Sequence, residues 1–155
     1  MSLPVFLTAL AATLPLHGTL VPGKSLGGLR LGDSPARVVA AWGHGFGVCT
    51  DCARTTWYYN LARYQPQGAG VEFAGRRVAA LFTLWSPTGW RTAQGLRTGD
   101  RAARITALYG RLPRQSCGTY DARVLIRARS VTTFYVVRGK VWGFGLSRPS
   151  VAVCR

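Results

Sequence analysis

Two cysteines with two residues between them, Cys49 and Cys52, have a spacing that could support chemistry. Such a C-x-x-C pair can work as a thiol–disulfide redox site or supply half of a zinc site. A redox pair should lie at a helix N-terminus, whereas this pair follows a glycine-rich loop and precedes a predicted strand. A zinc site would require a second matching pair, and Cys117 and Cys154 are far apart in the sequence. Four cysteines allow three pairings, and we favour one structural disulfide in each half, Cys49–Cys52 and Cys117–Cys154.

The titratable side chains give few candidates for catalysis. The chain has two histidines, His17 and His44, and no catalytic triad can be built on one loop histidine. Asp33 and Asp100 could be paired catalytic carboxylates, but each precedes a predicted helix, where an aspartate caps the first turn. Glu72 stands alone on a predicted strand. We therefore predict that the protein is not an enzyme and has no metal site and no cofactor.

The chain is strongly basic. It has 18 arginines and 2 lysines against five acidic residues, which gives a formal net charge of +15 over 155 residues. Such a charge should attract nucleic acid, acidic polymers of the cell envelope or acidic protein surfaces. The arginines are dispersed, however, and no basic run is longer than Arg76-Arg77. Dispersed charge predicts non-specific attraction rather than a defined nucleic-acid footprint.

One stretch of the sequence occurs twice. Residues 28–43 recur at 95–110 without a gap, and nine positions are identical. Each copy predicts a short helix that begins after an aspartate, buries one apolar stripe and ends at a glycine. Ser34 could cap the first helix instead, but the repeat favours Asp33 and its counterpart Asp100. The predicted stripes are Val38, Ala41 and Trp42 in the first copy and Ile105, Leu108 and Tyr109 in the second.

After each helix the apolar pattern changes to period two, which indicates strands. Strands are predicted at 55–61, 71–73, 78–85, 123–126, 131–137 and 140–146. We predict an α+β fold of two tandem repeats, each a short helix followed by a roughly three-stranded antiparallel sheet. Such units are marginal alone, so they should share a core or join their edges. The predicted division is repeat 1 at 27–85, a linker at 86–94, and repeat 2 with a C-terminal tail at 95–155.

Residues 1–26 are interpreted as a signal-like leader and linker. Residues 3–16 form an apolar run without charge, which is too short for a membrane span of roughly 20 residues. Residues 9–11 fit a small-x-small cleavage site, although the basic region that precedes most signals is missing. An export signal and an even number of cysteines together predict a disulfide-bonded protein outside the cytoplasm, with no membrane span in the mature chain.

The doubled Gly-x-x-x-Gly-Asp-x-x-x-x-Val/Ile-x-x-x-aromatic-Gly pattern, followed by antiparallel strands, resembles that of the β-lactamase inhibitory proteins and of the SmpA/OmlA (BamE-like) outer-membrane assembly modules. The resemblance covers residues 27–146. It implies a small exported α+β binding module that is not an enzyme. In the inhibitory proteins two repeats build a concave sheet whose aromatic face grips a partner enzyme. The resemblance therefore implies a protein partner for this chain.

The aromatic residues of the strands are the remaining candidates for function. Alternation separates Tyr58 from Trp57 and Tyr59, and it places Trp142 on one face with Phe144 and Leu146. An exposed aromatic stripe beside arginines would form a protein-binding hot spot or a stacking platform for single-stranded nucleic acid. We predict an exported, non-enzymatic binding or inhibitor-like protein whose sheet face recognises a macromolecular, acidic partner. The alternatives are a thiol–disulfide oxidoreductase and a basic nucleic-acid- or polyanion-binding protein. The predicted partner-binding residues are Trp57, Tyr59, Tyr135 and Trp142.

Overall fold

The structure, a computed structural model, describes residues 12–59 and 67–155. Within these residues it has two short helices, α1 (Pro35–Trp42) and α2 (Ala103–Tyr109), and eleven strands. The strands are β1 (Thr19–Val21), β2 (Ser25–Leu26), β3 (Gly47–Cys49), β4 (Thr55–Tyr59), β5 (Gly68–Ala74), β6 (Arg77–Leu84), β7 (Arg91–Thr92), β8 (Arg114–Ser116), β9 (Asp121–Ile126), β10 (Val131–Val137) and β11 (Lys140–Ser147).

The prediction of an α+β fold built from two helix-plus-sheet repeats is wrong, because the described chain is mostly β. Eight strands form one antiparallel sheet in the order β3-β4-β5-β6-β11-β10-β9-β8. The sheet is continuous because β6 pairs with β11, with Leu84 opposite Gly143 and Ala80 opposite Ser147. The pattern missed β3 and β8, since strands of three mostly exposed residues carry no apolar alternation.

The main core lies between this sheet and the helices. Val38 and Trp42 of α1 and Ile105 of α2 are buried against the sheet, as the apolar stripes predicted. The Trp42 ring packs edge-on against Tyr59 and Trp90, each 5.5 Å away between centroids. Its Nε1 donates a hydrogen bond of 2.9 Å to the Gly27 carbonyl. Both helices end at glycines with positive φ, Gly43 (82°) and Gly110 (78°).

The two segments interpreted as linkers belong to the folded body. Strands β1, β2 and β7 form a second sheet of three strands, in which β1 and β7 run parallel. Leu20 and Leu26 are fully buried, so residues 12–26 are not a linker. Trp90 is fully buried and donates a hydrogen bond of 2.8 Å to the Pro15 carbonyl, so residues 86–94 are not one either. The predicted cleavage site at 9–11 lies outside the described residues.

Asp33 and Asp100 do not cap the helices. The N-cap of α1 is Ser34, whose Oγ accepts a hydrogen bond from the Arg37 amide at 3.2 Å, and α2 has no side-chain cap. Each aspartate instead closes the loop before its helix: Asp33 Oδ2 accepts from the Arg30 amide and Asp100 Oδ2 from the Arg97 amide, both at 2.8 Å. The predicted caps are wrong because the helices begin later than expected: α1 begins one residue after Ser34, and α2 begins three residues after Asp100.

The same two loops attach to the starts of the central strands. The Gly32 amide donates to the Val78 carbonyl, and the Val78 amide donates to the Asp33 carbonyl. The second loop makes the same pair of hydrogen bonds at β11: the Gly99 amide donates to the Val141 carbonyl, and the Val141 amide donates to the Asp100 carbonyl. The two copies of the sequence motif thus hold the starts of β6 and β11, which point to opposite ends of the sheet because the two strands are antiparallel.

Candidate partner-binding surface

The four aromatic residues predicted to bind a partner do not form one surface. Trp57 and Tyr59 lie on the helix-facing side of the sheet, where Trp57 stacks on Phe46 with ring centroids 4.0 Å apart. Tyr135 and Trp142 pack in a separate cluster on the opposite face. A partner that lies against either face can therefore contact at most two of the four residues.

Burial further excludes both tyrosines as contact residues. The exposed fraction is 4% for Tyr59 and 0% for Tyr135. The hydroxyl of Tyr59 donates to the Gly43 carbonyl at 3.1 Å, and that of Tyr135 donates to the Val153 carbonyl at 2.7 Å. Burial disfavours the charged phenolate and raises the pKa of each to about 12. The prediction that Tyr59 and Tyr135 contact a partner is therefore wrong, because both complete the core.

The C-terminal residues cover the middle of the second face. Val151 is 4% exposed, and a disulfide joins Cys154 to Cys117. The guanidinium of Arg155 lies over the ring of Phe82, 5.3 Å from its centroid. The middle of this face is thus covered by the chain itself, through long-range contacts that strand alternation cannot reveal.

Two tryptophans remain accessible beside this covered region. Trp142 is half-buried against Tyr120, with ring centroids 5.4 Å apart. Trp85 is 42% exposed and has a φ of 64°, which a bulky residue rarely adopts. The Trp85 amide donates to the Trp142 carbonyl, so the two residues are neighbours. The apolar pattern places Trp85 at the end of a predicted strand and gives no sign of its exposure.

Both disulfides have the favoured pairing, Cys49–Cys52 and Cys117–Cys154. The first spans the connection between β3 and β4, and neither of its cysteines lies at the N-terminus of a helix. The arrangement therefore lacks the helix dipole that lowers a thiol pKa in redox-active pairs. Among the residues described, no three His, Cys, Asp or Glu side chains are grouped to hold a metal ion.

Cations gather at one end of the large sheet, although they are dispersed in sequence. Arg54 precedes β4, Arg76 lies in the turn before β6, Arg77 begins β6, and Arg148 follows β11. Arg127 and Arg129 lie in the turn between β9 and β10. Two loops bring further cations to this end. The loop of Lys24 is held near the start of β10, where the Gly23 amide donates to the Thr132 hydroxyl. The loop of Arg30 is held by backbone hydrogen bonds to Val78 of β6. We call these residues the basic sheet end: Lys24, Arg30, Arg54, Arg76, Arg77, Arg127, Arg129 and Arg148.

The cations of the basic sheet end have little internal neutralisation. None of the eight forms an ion pair with another described residue, and six of them are exposed. Asp33, beside this end, directs Oδ2 to a backbone amide. The opposite end of the sheet is also basic, but there Asp100 and Asp121 pair with Arg104 and Arg114. The six strands from β4 to β9 in the sheet order are adjacent and about 4.8 Å apart, so the cations at their ends extend over about 24 Å.

The fold has a counterpart among solved structures. No protein-family model matches this chain, and no curated protein matches it at a significant level. The chain is similar to the crystal structure of an extracellular protein containing a SCP domain from Bacillus anthracis str. Ames, with a TM-score of 0.54 and 11% sequence identity. The match covers 77% of this chain and 44% of that chain, so this chain spans less than half of that protein's length. At this identity the likeness shows a common fold alone.

The resemblance to the β-lactamase inhibitory proteins and the SmpA/OmlA (BamE-like) modules stays a prediction, because none of these comparisons bears on it. Neither described helix is long and apolar enough to cross a membrane.

Proposed function

We propose that this chain is an exported, non-enzymatic binding module that recognises a linear polyanion of the cell envelope, and that the basic sheet end is its contact surface. The observation that carries the proposal is a row of six cations at the ends of six adjacent strands, with two more in neighbouring loops, none of which pairs with an acidic residue in the described part of the chain. A row of this width fits a polymer with regularly spaced charges better than a single small anion.

Two observations support export. Both pairs of cysteines are joined as disulfides, which persist in oxidising compartments such as the periplasm and the cell exterior. The chain also shares its fold with part of an extracellular protein. The same setting supports an envelope polymer over nucleic acid as the partner.

Two features support binding without catalysis. In the described residues the carboxylates are engaged structurally: Glu72, Asp100 and Asp121 pair with arginines, and Asp33 accepts from a backbone amide. The only other acidic residue is Asp51, an exposed residue of the Cys49–Cys52 loop. Carboxylates that are held in ion pairs and loop hydrogen bonds support a structural role for these groups.

The test is a binding comparison between two variants that lose the same number of charges. In one variant Arg76, Arg77, Arg127 and Arg129 of the basic sheet end become Gln. In the control, four exposed arginines elsewhere become Gln: Arg91, Arg97, Arg101 and Arg138. Immobilised long-chain polyphosphate serves as the polyanion and neutral dextran as the blank.

We expect the basic-sheet-end variant to lose at least about tenfold in affinity for polyphosphate, and the control less than about threefold. Equal losses in both variants would show that only net charge matters and would overturn the assignment of the surface. If an acidic protein from an envelope extract binds the wild type more tightly than the polymers do, the partner class is wrong.

A further inference from the structure

A cleft of about 230 Å³ lies between α2 and β9, on the helix-facing side of the sheet. Ile105 and Thr106 of the helix form one wall, and Arg111 and Leu112 of the loop after the helix form a second. Arg123 of β9 closes the third side. The cleft is separate from the basic sheet end, and the inference drawn from it does not rest on the proposed function.

The electrostatics of the cleft are unbalanced. Arg114 of β8 and Arg123 of β9 stand directly opposite each other, an arrangement of like charges that destabilises an antiparallel pair. The carboxylate of Asp121 lies 2.6 Å from the Arg114 guanidinium and neutralises that residue. In the described part of the chain neither Arg123 nor Arg111 forms an ion pair. Two guanidinium groups that line one cleft are thus left without an anion.

The position of Arg123 makes this imbalance costly. It is half-buried on the face of the sheet that packs against the helices, and its neighbour on β10 is Phe134, which is fully buried. A cation that is partly removed from water without a counter-charge is unfavourable unless an anion joins it. Beside Arg123 the cleft also has an apolar side, where the accessible surface is that of the half-buried Leu112 and only 1% of Ile105 is exposed.

We propose that this cleft binds a small amphipathic carboxylate. The carboxylate group lies between Arg111 and Arg123, since the guanidinium fork matches the two oxygens of a carboxylate. The Thr106 hydroxyl is a further donor beside them. The short apolar chain of the ligand packs against Leu112 and covers its exposed part, beside the already buried Ile105. Such a carboxylate is supplied either by a free short-chain acid or by the C-terminus of a peptide.

The experiment is a titration followed by NMR at the Ile105 methyl groups and at Nε of the arginines. Hexanoate is the probe, hexanol has the same chain without the charge, and acetate has the charge without the chain. We expect saturable shifts at Ile105 and Arg123 with hexanoate, and at least about tenfold weaker binding of hexanol and of acetate, because each lacks one of the two contacts. A dipeptide with a free C-terminal leucine, compared with its amide, distinguishes the two sources of the carboxylate.

Variants separate a built site from general attraction by a basic protein. R123Q is expected to weaken hexanoate binding at least about tenfold, and R91Q, which removes an exposed charge elsewhere, to leave it unchanged. If R123Q does not fold, R111Q gives the same test, because Arg111 is exposed. Absence of shifts at Ile105, or equal affinity of R91Q and of the cleft variant, would overturn the proposal.

Discussion

The guanidinium of Arg155 is paired with the carboxylate of Glu72 on the second face of the sheet, with Nη1 and Oε1 3.1 Å apart. The two side chains are 5% and 15% exposed, so the pair is largely removed from water. Nearby, the amide of Arg155 donates to the Tyr120 hydroxyl at 2.6 Å. The last described residue is therefore held by charge, by hydrogen bonding and by its contact with Phe82.

Removing one partner of this pair should destabilise the fold clearly. We expect E72Q to lower the free energy of unfolding by about 2–4 kcal/mol, because it leaves a buried guanidinium without its counter-charge. The control is D121N, which breaks the ion pair between Asp121 and Arg114. Because the Arg114 side chain is 62% exposed, we expect D121N to lower the free energy of unfolding by less than about 1 kcal/mol. Urea denaturation measures both values. Similar losses in the two variants would show that the Arg155 pair is no more buried than a surface pair.

Glycines in the central strands allow close packing that a larger residue would prevent. A Cβ at Gly143 would collide with the carbonyl of Thr83 on the neighbouring strand, whereas a Cβ at Gly45 would meet no atom within 4 Å. We therefore expect G143A to destabilise by about 1–3 kcal/mol and G45A to change stability by less than about 0.5 kcal/mol. Thermal unfolding followed by circular dichroism tests this. A G143A protein as stable as G45A would contradict the register of β6 and β11.

The two disulfides should differ in their contribution to stability. Cys117–Cys154 closes a loop with a sequence separation of 37, and Cys49–Cys52 one of 3. By chain entropy the first contributes about 4 kcal/mol and the second about 2 kcal/mol. Paired replacement by serine, followed by denaturation in guanidinium chloride, tests the order. A larger loss from C49S/C52S than from C117S/C154S would contradict it.

The Cys49–Cys52 bond should also behave as a structural disulfide. We expect its reduction potential to lie below about −300 mV, in the range of bonds that resist glutathione. Equilibration of the native protein with thiol buffers, followed by titration of free thiols, measures this potential. A value near those of thiol oxidoreductases, about −270 to −120 mV, would instead favour the redox alternative.

Two tyrosines should titrate later than exposed ones and couple stability to alkaline pH. Burial raises the pKa of Tyr59 and of Tyr135 to about 12, above the value of about 10 in the unfolded chain. Stability is therefore unaffected by these groups below pH 10 and falls as pH rises from about 10 to 12, because only the unfolded chain ionises readily there. Absorbance at 295 nm should show at least two late phenols, one of which is missing in Y135F, and burial also raises the pKa of Tyr109. Ionisation of all tyrosines near pH 10 without unfolding would contradict their burial.

Strong, long apolar patterns allowed much of the central sheet to be predicted. The strands expected at 78–85, 131–137 and 140–146 match β6, β10 and β11 to within one residue at each end. The buried positions of the helices followed from their apolar stripes. Strands of two or three residues, such as β1, β2 and β7, carry no period and depend on tertiary packing, so the sequence pattern predicts linkers at 12–26 and 86–94.

The surface could not be derived by alternation alone. A β-bulge at Trp142 moves that residue to the second face, while Phe144 and Leu146 stay on the helix-facing side, so the expectation that the three share a face is wrong. Arg155 covers part of the second face through a contact with Phe82, which is distant in the sequence, so no local pattern predicts it. The basic sheet end likewise exists only because the fold gathers arginines that are up to 118 residues apart, from Arg30 to Arg148.

The dependence of polyphosphate affinity on salt tests the central claim most directly. If the basic sheet end holds the polymer, the logarithm of the binding constant falls steeply with the logarithm of salt concentration. Replacing Arg76, Arg77, Arg127 and Arg129 by Gln should then reduce this slope by about 3–4, since each lost phosphate contact removes about 0.7–0.9. The matched variant with four replacements elsewhere should change the slope by less than about 1. An affinity that does not vary with salt, or equal slopes in the two variants, would contradict the claim.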